Sequence, residues 1–147
     1  MQIRKLQLSD YTNWLNLWKG YQAFYQVSLD EHLSKMTFQR LLDTTEPMYG
    51  LILEVDQKAV GLVHFILHRS TWTAGDYCYL QDLFVDIEHR QKGYAKQLIE
   101  AVYTEADDLG CSRVYWLTHE SNQVARQLYD QVAIHTGFIQ YRKNLAV

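Results

Sequence analysis

A basic loop, residues 90 to 95 (RQKGYA), joins an apolar strand to an amphipathic helix in this 147-residue chain. The first turn of a helix has backbone N–H groups without intrahelical partners, and the helix dipole adds partial positive charge there. Such a turn can hold a phosphate. Gly93 permits a close backbone approach or a positive φ, while Arg90 and Lys92 add charge. The loop predicts either a pyrophosphate site or a solvated basic helix cap.

Two further side chains could move protons. Asp82 lies within the apolar strand 77–85, and strict alternation would place it on one face with Leu80 and Phe84, where a carboxylate needs a reason. Tyr129 follows Asn122 at helical spacing, so both side chains can point into one space. Asp82 could instead be a hydrogen-bonded structural aspartate, and Tyr129 a core tyrosine.

These residues need an α/β framework to position them. Helical patterns are found at 11–25, 29–42, 93–110 and 122–132, and strand patterns at 3–8, 48–55, 59–68, 77–85, 113–117 and 138–142. The short connection between strands 48–55 and 59–68 predicts a hairpin. The helical crossover 93–110 makes strands 77–85 and 113–117 parallel. We expect a mixed sheet in which these two strands splay and open a cleft at their carboxyl ends.

Composition limits the class of protein. We expect one domain, residues 1–147, because 48% hydrophobic and 21% charged residues are ordinary for a globular fold. A net charge of −3 without a basic run argues against nucleic acid as a partner. Cys78 and Cys111 are not spaced as a metal pair, so we expect reduced thiols and no metal. Neither a signal peptide nor an apolar run of about 18 residues is found, so we expect a cytoplasmic protein without membrane contact.

Residues 85–95, VDIEHRQKGYA, resemble the cofactor loop of the GNAT superfamily of acetyl-CoA-dependent N-acetyltransferases, whose pattern is (Gln/Arg)-x-x-Gly-x-(Gly/Ala). A second signature of that family is similar to Asn122, Ala125, Leu128 and Tyr129, with Gly137 and Phe138 after them. The two signatures follow the family's order within residues 77–144. Segments 79–85 and 114–122 resemble the branch with small fungal histone and polyamine acetyltransferases and their bacterial relatives.

The resemblance implies a GNAT-like mixed α/β fold with a mostly antiparallel sheet of six to seven strands and about four flanking helices. It implies acetyl-CoA as the cofactor, with its pyrophosphate on the loop and its pantetheine arm on the strand backbone. In the family, Asn122 would also bind the cofactor, although it could equally cap a helix. The implied cofactor-binding residues are Leu83, Phe84, Val85, Arg90, Gln91, Lys92, Gly93, Tyr94, Ala95, Lys96 and Asn122.

The resemblance also implies direct acetyl transfer to a primary amine through a ternary complex. Tyr129 occupies the family's general-acid position, from which a phenol can protonate the leaving thiolate. A lysine-like amine must lose a proton before it attacks, and Asp82 is our first candidate for the base, ahead of His119 and Glu120. An acetyl-enzyme on a cysteine is disfavoured.

The acceptor stays open between a small-molecule amine, a polyamine, an amino acid and a protein lysine. The alternative function is a catalytically inactive CoA-binding or sensing module of the same fold. Tyr21, Phe24 and Tyr25 could contact the acceptor, although packing on the sheet is favoured. An edge strand at 138–141 would favour a homodimer. Gln91 departs from the family, where glycine is common, and would be an equivalent replacement if its φ is negative.

Overall fold

The computed structural model describes residues 1–146, in two compact units of which the first is residues 1–117 and the second begins at residue 118. The helices are α1 (Tyr11–Phe24), α2 (Glu31–Leu42) and α3 (Tyr94–Asp108) in the first unit and α4 (Gln123–Val132) in the second. The strands, all in the first unit, are β1 (Gln2–Lys5), β2 (Met48–Val55), β3 (Lys58–His68), β4 (Tyr77–Val85) and β5 (Arg113–Tyr115). The single-domain organisation stays a prediction.

The five strands form one sheet in chain order, from β1 to β5. Neighbours from β1 to β4 are antiparallel, and β4 and β5 are parallel, with α3 as the crossover between them. Asp56 and Gln57 connect β2 to β3 with φ values of 51° and 63°, as a two-residue hairpin turn requires. The predicted hairpin, the parallel pair and the mixed α/β fold class are therefore confirmed.

Helices cover both faces of the sheet. On one face, large side chains that recur every three or four residues on α1 and α2 pack against Ile52 and Leu62; they are Trp14, Leu17, Trp18, Phe38 and Leu41. On the other face, α3 approaches so closely that a Cβ added to Gly61 would lie 3.3 Å from Leu98 Cδ1. The sheet is thus the middle layer of the first unit.

An ion pair ties the start of α1 to β1. The Asp10 carboxylate, just before α1, accepts hydrogen bonds from Arg4 Nη1 and Nη2 at 2.8 Å each and from Gln7 N at 2.7 Å. Arg4 also contacts Glu54 of β2. The Arg4 guanidinium holds the pKa of the Asp10 carboxyl below its usual value. This pair fixes the end of the helix that carries Trp14 and Tyr21.

The C-terminal segment departs from expectation. Residues 134–146 form no helix or strand, so the strand predicted at 138–142 is wrong, and residues 1–146 contain five strands rather than six to seven. Phe138, Ile139 and Tyr141 are 88%, 76% and 89% exposed. An apolar run forms a strand only where a neighbouring strand completes its hydrogen bonds. In the described chain nothing pairs with this segment as a ladder, which explains the error.

None of the helices within residues 1–146 has both the length and the apolar character that are needed to span a membrane.

Candidate active site

A β-bulge in β4 decides which side chains face α1. His64 of β3 pairs with Asp82, whereas the next residue, Phe65, pairs with Leu80, so Gln81 is an extra residue without a partner. Paired residues share a face and successive residues alternate, so Asp82 lies with His64 on the α1 face and Leu80 lies on the opposite face. The expectation that Asp82 and Leu80 share a face is wrong, because the bulge shifts the alternation by one residue.

Asp82 belongs to a buried chain of polar contacts that runs from α1 through β3 to β4. Trp14 Nε1 donates to His64 Nε2 at 2.9 Å, and His64 Nδ1 lies 3.0 Å from Asp82 Oδ2. The exposed fractions of Trp14, His64 and Asp82 are 0%, 3% and 8%. Polar groups at this depth need hydrogen-bond partners, and each of these side chains has one.

Tyr21 brings a phenol to the same carboxylate from a later turn of α1. Its ring stacks on Trp18 with 5.2 Å between the centroids and meets the Phe84 ring edge-on at 6.3 Å. Burial, and next the neighbouring Asp82 carboxylate, raise the pKa of the Tyr21 phenol far above its usual value. A phenol in this environment keeps its proton at neutral pH, so Tyr21 can serve as a donor beside Asp82.

Sequence reasoning did not single out His64 and gave Trp14 only a packing role. One signal was available, because His64 interrupts the apolar run of β3 and a buried imidazole needs partners. Its partner Trp14 lies 50 residues earlier in the chain. No periodicity or motif connects residues so far apart.

Among the described residues 1–146, no strand pairs with one edge of β4 beyond Tyr79, where its pairing with β5 ends. β5 pairs only with Tyr77–Tyr79, so residues 80 to 85 have a ladder on the β3 side alone. Asp86 N donates to Val60 O at 2.8 Å, which sets the alternation of hydrogen-bonded pairs along β3 and β4. By this alternation the backbone groups of Leu83 and Val85 point away from β3, whereas those of Phe84 bond to it. The pairing between the two parallel strands thus ends at Tyr79 and Tyr115, the predicted splay beyond these residues stays a prediction, and Phe84 has only its side chain left for a ligand.

The loop before α3 contains two left-handed residues. Gly93, with φ of 80°, immediately precedes α3, and Gln91 has φ of 62°. Gln91 therefore lacks the negative φ that would make it an equivalent replacement for glycine, and holding it there costs roughly 1–2 kcal/mol. The first intrahelical hydrogen bond runs from Gln97 N to Gly93 O at 3.2 Å. The N–H groups of residues 94 to 96 precede it and are available to an anion.

Arg90 fastens this loop to β4 and α1. Its Nε donates to Val85 O at 3.0 Å. Its guanidinium carbon lies 5.4 Å from the centroid of the Phe24 ring and 5.7 Å from that of Phe84. Both separations are within cation–π range. Lys92 and Lys96 are exposed and add positive charge around the start of α3.

The second unit carries Asn122 and Tyr129. Asn122 caps α4, since its side-chain oxygen accepts from Ala125 N at 3.4 Å. The cap is therefore observed, and a contact between Asn122 and a cofactor stays a prediction. Tyr129 is half-buried two turns into α4, and its role as a general acid also stays a prediction. His119 and Glu120, the second choices for the base, are exposed.

Neither thiol of the chain is prepared to act as a nucleophile. Cys78 and Cys111 form no disulfide. Burial raises the pKa of the Cys78 thiol to about 12 and also raises the pKa of Cys111. Since the thiolate is the reactive form, both environments favour direct attack by an amine over an acetyl-enzyme.

The comparisons with known proteins agree with this geometry. The profile of the acetyltransferase (GNAT) family matches residues 12–133, most of the chain. The D-amino-acid N-acetyltransferase HPA3 of Saccharomyces cerevisiae is 33% identical over 144 residues, which cover 97% of this chain and 89% of the yeast protein. The thialysine N-epsilon-acetyltransferase of Caenorhabditis elegans is 31% identical over 85 residues, which cover 58% of this chain and 52% of that protein.

A solved structure shows the same fold. AAC(6′)-Iy in complex with the bisubstrate analogue CoA-S-monomethyl-acetylneamine matches with a TM-score of 0.84, over 98% of each chain, at 21% identity.

Proposed function

Because this chain belongs to the GNAT acetyltransferase family and is an acetyl-CoA-dependent acyltransferase, we propose that it transfers acetyl directly to a primary amine in a ternary complex. The observation that carries the proposal is the unpaired edge of β4 beside the start of α3. It offers backbone hydrogen bonds and an anion site within one continuous stretch of chain. Such a preformed frame would hold the two substrates in the orientation that direct transfer requires.

The groups on this stretch suit acetyl-CoA, which contains both a pyrophosphate and the amide groups of the pantetheine arm. The outward N–H and C=O groups of Leu83 and the N–H group of Val85 would pair with those amides as a short strand does, whereas Val85 O accepts from Arg90 Nε at 3.0 Å. The N–H groups of the loop 91–96, with its left-handed Gly93, would hold the pyrophosphate, and Lys92 and Lys96 would add charge. When bound, the cofactor supplies the activated acetyl thioester.

Two side chains would manage the protons. Asp82 would take a proton from the acceptor ammonium and free the lone pair that attacks, since it is a carboxylate held in place by His64 on the α1 face. Tyr129 would give its phenolic proton to the leaving sulfur, a role supported by its position in the family's motif. Tyr21, whose phenol lies beside Asp82, would orient the amine.

We propose an amino acid as the acceptor. The two relatives described above are named for D-amino acids and for thialysine, which carry an amine and a carboxylate. The α1 face of the sheet suits a cationic amine, because the carboxylate of Asp82 lies there beside the aromatic rings of Tyr21 and Phe84.

Calorimetric titration with acetyl-CoA, followed by a free-thiol release assay on the same sample, tests the function. The amine panel contains D- and L-amino acids, thialysine, polyamines and a lysine-containing peptide. Binding with release that depends on an amino acid is the expected result. Binding without release from any amine would favour the inactive CoA-binding module, and absence of binding would reject the cofactor site.

We further propose a homodimer and a cytoplasmic location. Support for the dimer comes from the apolar side chains at 138–141, which are exposed in the single chain. Support for the location comes from the free thiols, which persist in a reducing compartment. Light scattering coupled to size exclusion would measure the mass, and a monomeric mass at micromolar concentration would reject the dimer.

A further inference from the structure

We infer that Trp14 and His64 are positioning residues of this site: Trp14 holds His64 in its Nδ1–H tautomer, and His64 thereby holds the Asp82 carboxylate in place for the acceptor amine. The tautomer follows from hydrogen-bond geometry alone. The effect on the reaction rests on the proposed function.

The tautomer is set by what an indole can do. The nitrogen of Trp14 donates a hydrogen bond and has no lone pair with which to accept one. Since Trp14 Nε1 lies 2.9 Å from His64 Nε2, that imidazole nitrogen must be the acceptor and carries no proton. A neutral ring then has its proton on Nδ1, and this N–H donates to Asp82 Oδ2 at 3.0 Å.

The other two states of the ring leave buried groups unsatisfied. In the Nε2–H tautomer, two N–H groups would face each other at Trp14, and a lone pair would face the carboxylate at Asp82. A doubly protonated ring would satisfy Asp82 and still place two N–H groups together at Trp14. The three residues are at most 8% exposed, and an unmatched donor or acceptor at this depth is strongly unfavourable.

The surroundings of the His64 ring indicate that Asp82, and not His64, accepts the proton of the amine. The Trp18 ring meets the imidazole edge-on at 5.1 Å between centroids, and Trp14 covers Nε2. Among titratable groups, Asp82 of β4 contacts the imidazole directly, and Tyr21 of α1 lies beside that carboxylate. The lone pair of His64 therefore faces the indole of Trp14 rather than an acceptor amine, and the Asp82 carboxylate beside the Tyr21 phenol is left as the proton acceptor.

Nuclear magnetic resonance of the protein labelled with ¹⁵N at histidine tests the tautomer without any activity. Long-range ¹H–¹⁵N correlations distinguish the two ring nitrogens, and loss of one set of signals in His64→Asn assigns His64. The expected wild-type result is a single Nδ1–H tautomer at neutral pH. Detection of the Nε2–H form, or of an exchanging mixture, would overturn the inference.

Trp14→Phe should allow a proton on His64 Nε2, because phenylalanine keeps a ring and removes the N–H donor that excludes this proton, while Nδ1–H still donates to Asp82. Trp18→Phe is the matched control on the same helix, since Trp18 touches the imidazole ring while its buried Nε1 has no hydrogen-bond partner within residues 1–146. Trp18→Phe should leave the tautomer unchanged. An identical response of the two variants would contradict a specific role for Trp14, and circular dichroism would verify that both fold.

Two substitutions of His64 test the effect on the reaction. Asn places an amide N–H where Nδ1–H lies, whereas Leu keeps the bulk and removes the donor. We expect His64→Leu to lower kcat roughly tenfold or more, with KM for acetyl-CoA within about twofold, and His64→Asn to recover most of the loss. Equal kcat values for the two variants would reject the positioning role. If no amine is acetylated by the wild type, the proposed function fails, and the tautomer is still decided by resonance.

Discussion

The free edge of β4 and its face toward α1 present different kinds of chemical group. Along its free edge, at Leu83 and Val85, the groups presented to a ligand are main chain, and side chains there serve to pack. On the face toward α1, the presented group is the carboxylate side chain of Asp82. Trp14, His64 and Tyr21 from other elements surround it. Main-chain sites tolerate most substitutions and fail when the backbone changes conformation. Side-chain sites fail when one atom in a chain of contacts is exchanged.

Asp82→Asn should produce the largest effect, because it exchanges one oxygen of the carboxylate for an amide. We expect kcat to fall roughly 10²- to 10⁴-fold, as for loss of a general base, while the dissociation constant for acetyl-CoA stays near its wild-type value. Steady-state kinetics and calorimetry measure the two quantities. Glu100→Gln, an exposed change on α3, is the control. If Asp82→Asn loses cofactor binding as well, the two sides of β4 are not independent.

Tyr129→Phe should lower kcat by about 10²-fold through slower protonation of the leaving thiolate, with acetyl-CoA binding retained. Thiol release at saturating amine measures this effect. Tyr141→Phe, an exposed tyrosine of the same unit, should be neutral. Unchanged turnover in Tyr129→Phe would remove the acid role.

Gly93→Ala should weaken acetyl-CoA about tenfold, since a left-handed alanine costs roughly 1–2 kcal/mol and the loop would relax away from φ of 80°. A Cβ at this position meets no atom within 4 Å, so packing does not contribute to the loss. Gly110→Ala is a matched control, because Gly110 has φ of 76°, equally open space and a place at the far end of α3. It should reduce stability without a change in cofactor affinity. Similar dissociation constants for both variants would argue that the loop conformation is irrelevant to binding.

Asp10→Asn should have the smallest effect on the reaction. It should change the free energy of unfolding without changing the cofactor edge or the α1 face of β4. The folded state lowers the pKa of the Asp10 carboxyl, mainly through the hydrogen bonds from Arg4. The contribution of this carboxylate to stability is therefore fully present above its unfolded pKa, and it decreases as the pH falls through the folded pKa. The variant should lose about 1–3 kcal/mol at neutral pH and show a weaker decline of stability in acid. Urea unfolding between pH 7 and pH 3 measures this, with the exposed Asp130→Asn for comparison. A decline parallel to that of the wild type would exclude Asp10 as a source of acid sensitivity.

The parts of this molecule that depend on residues close together in the sequence could be predicted from the sequence. The ends of β2 and β4, the hairpin at Asp56 and the helix that follows Gly93 are local patterns, and all are observed. The contact between Trp14 and His64 depends on tertiary packing and left no periodic signal. The strand predicted at 138–142 failed for the same reason, since a ladder needs a partner that the pattern does not specify.

Gln81 illustrates how a residue can govern a site without taking part in it. Its side chain is exposed, and a scan of point substitutions would record it as tolerant. Its presence nonetheless decides which residues of β4 face α1. Removal of one residue at the bulge would move the side chains upstream of Asp82 to the opposite face of the sheet. Positions of this kind are visible to deletions and insertions, not to substitutions. A length-scanning library through β4 would therefore find a tightly constrained position where conventional mutagenesis finds none.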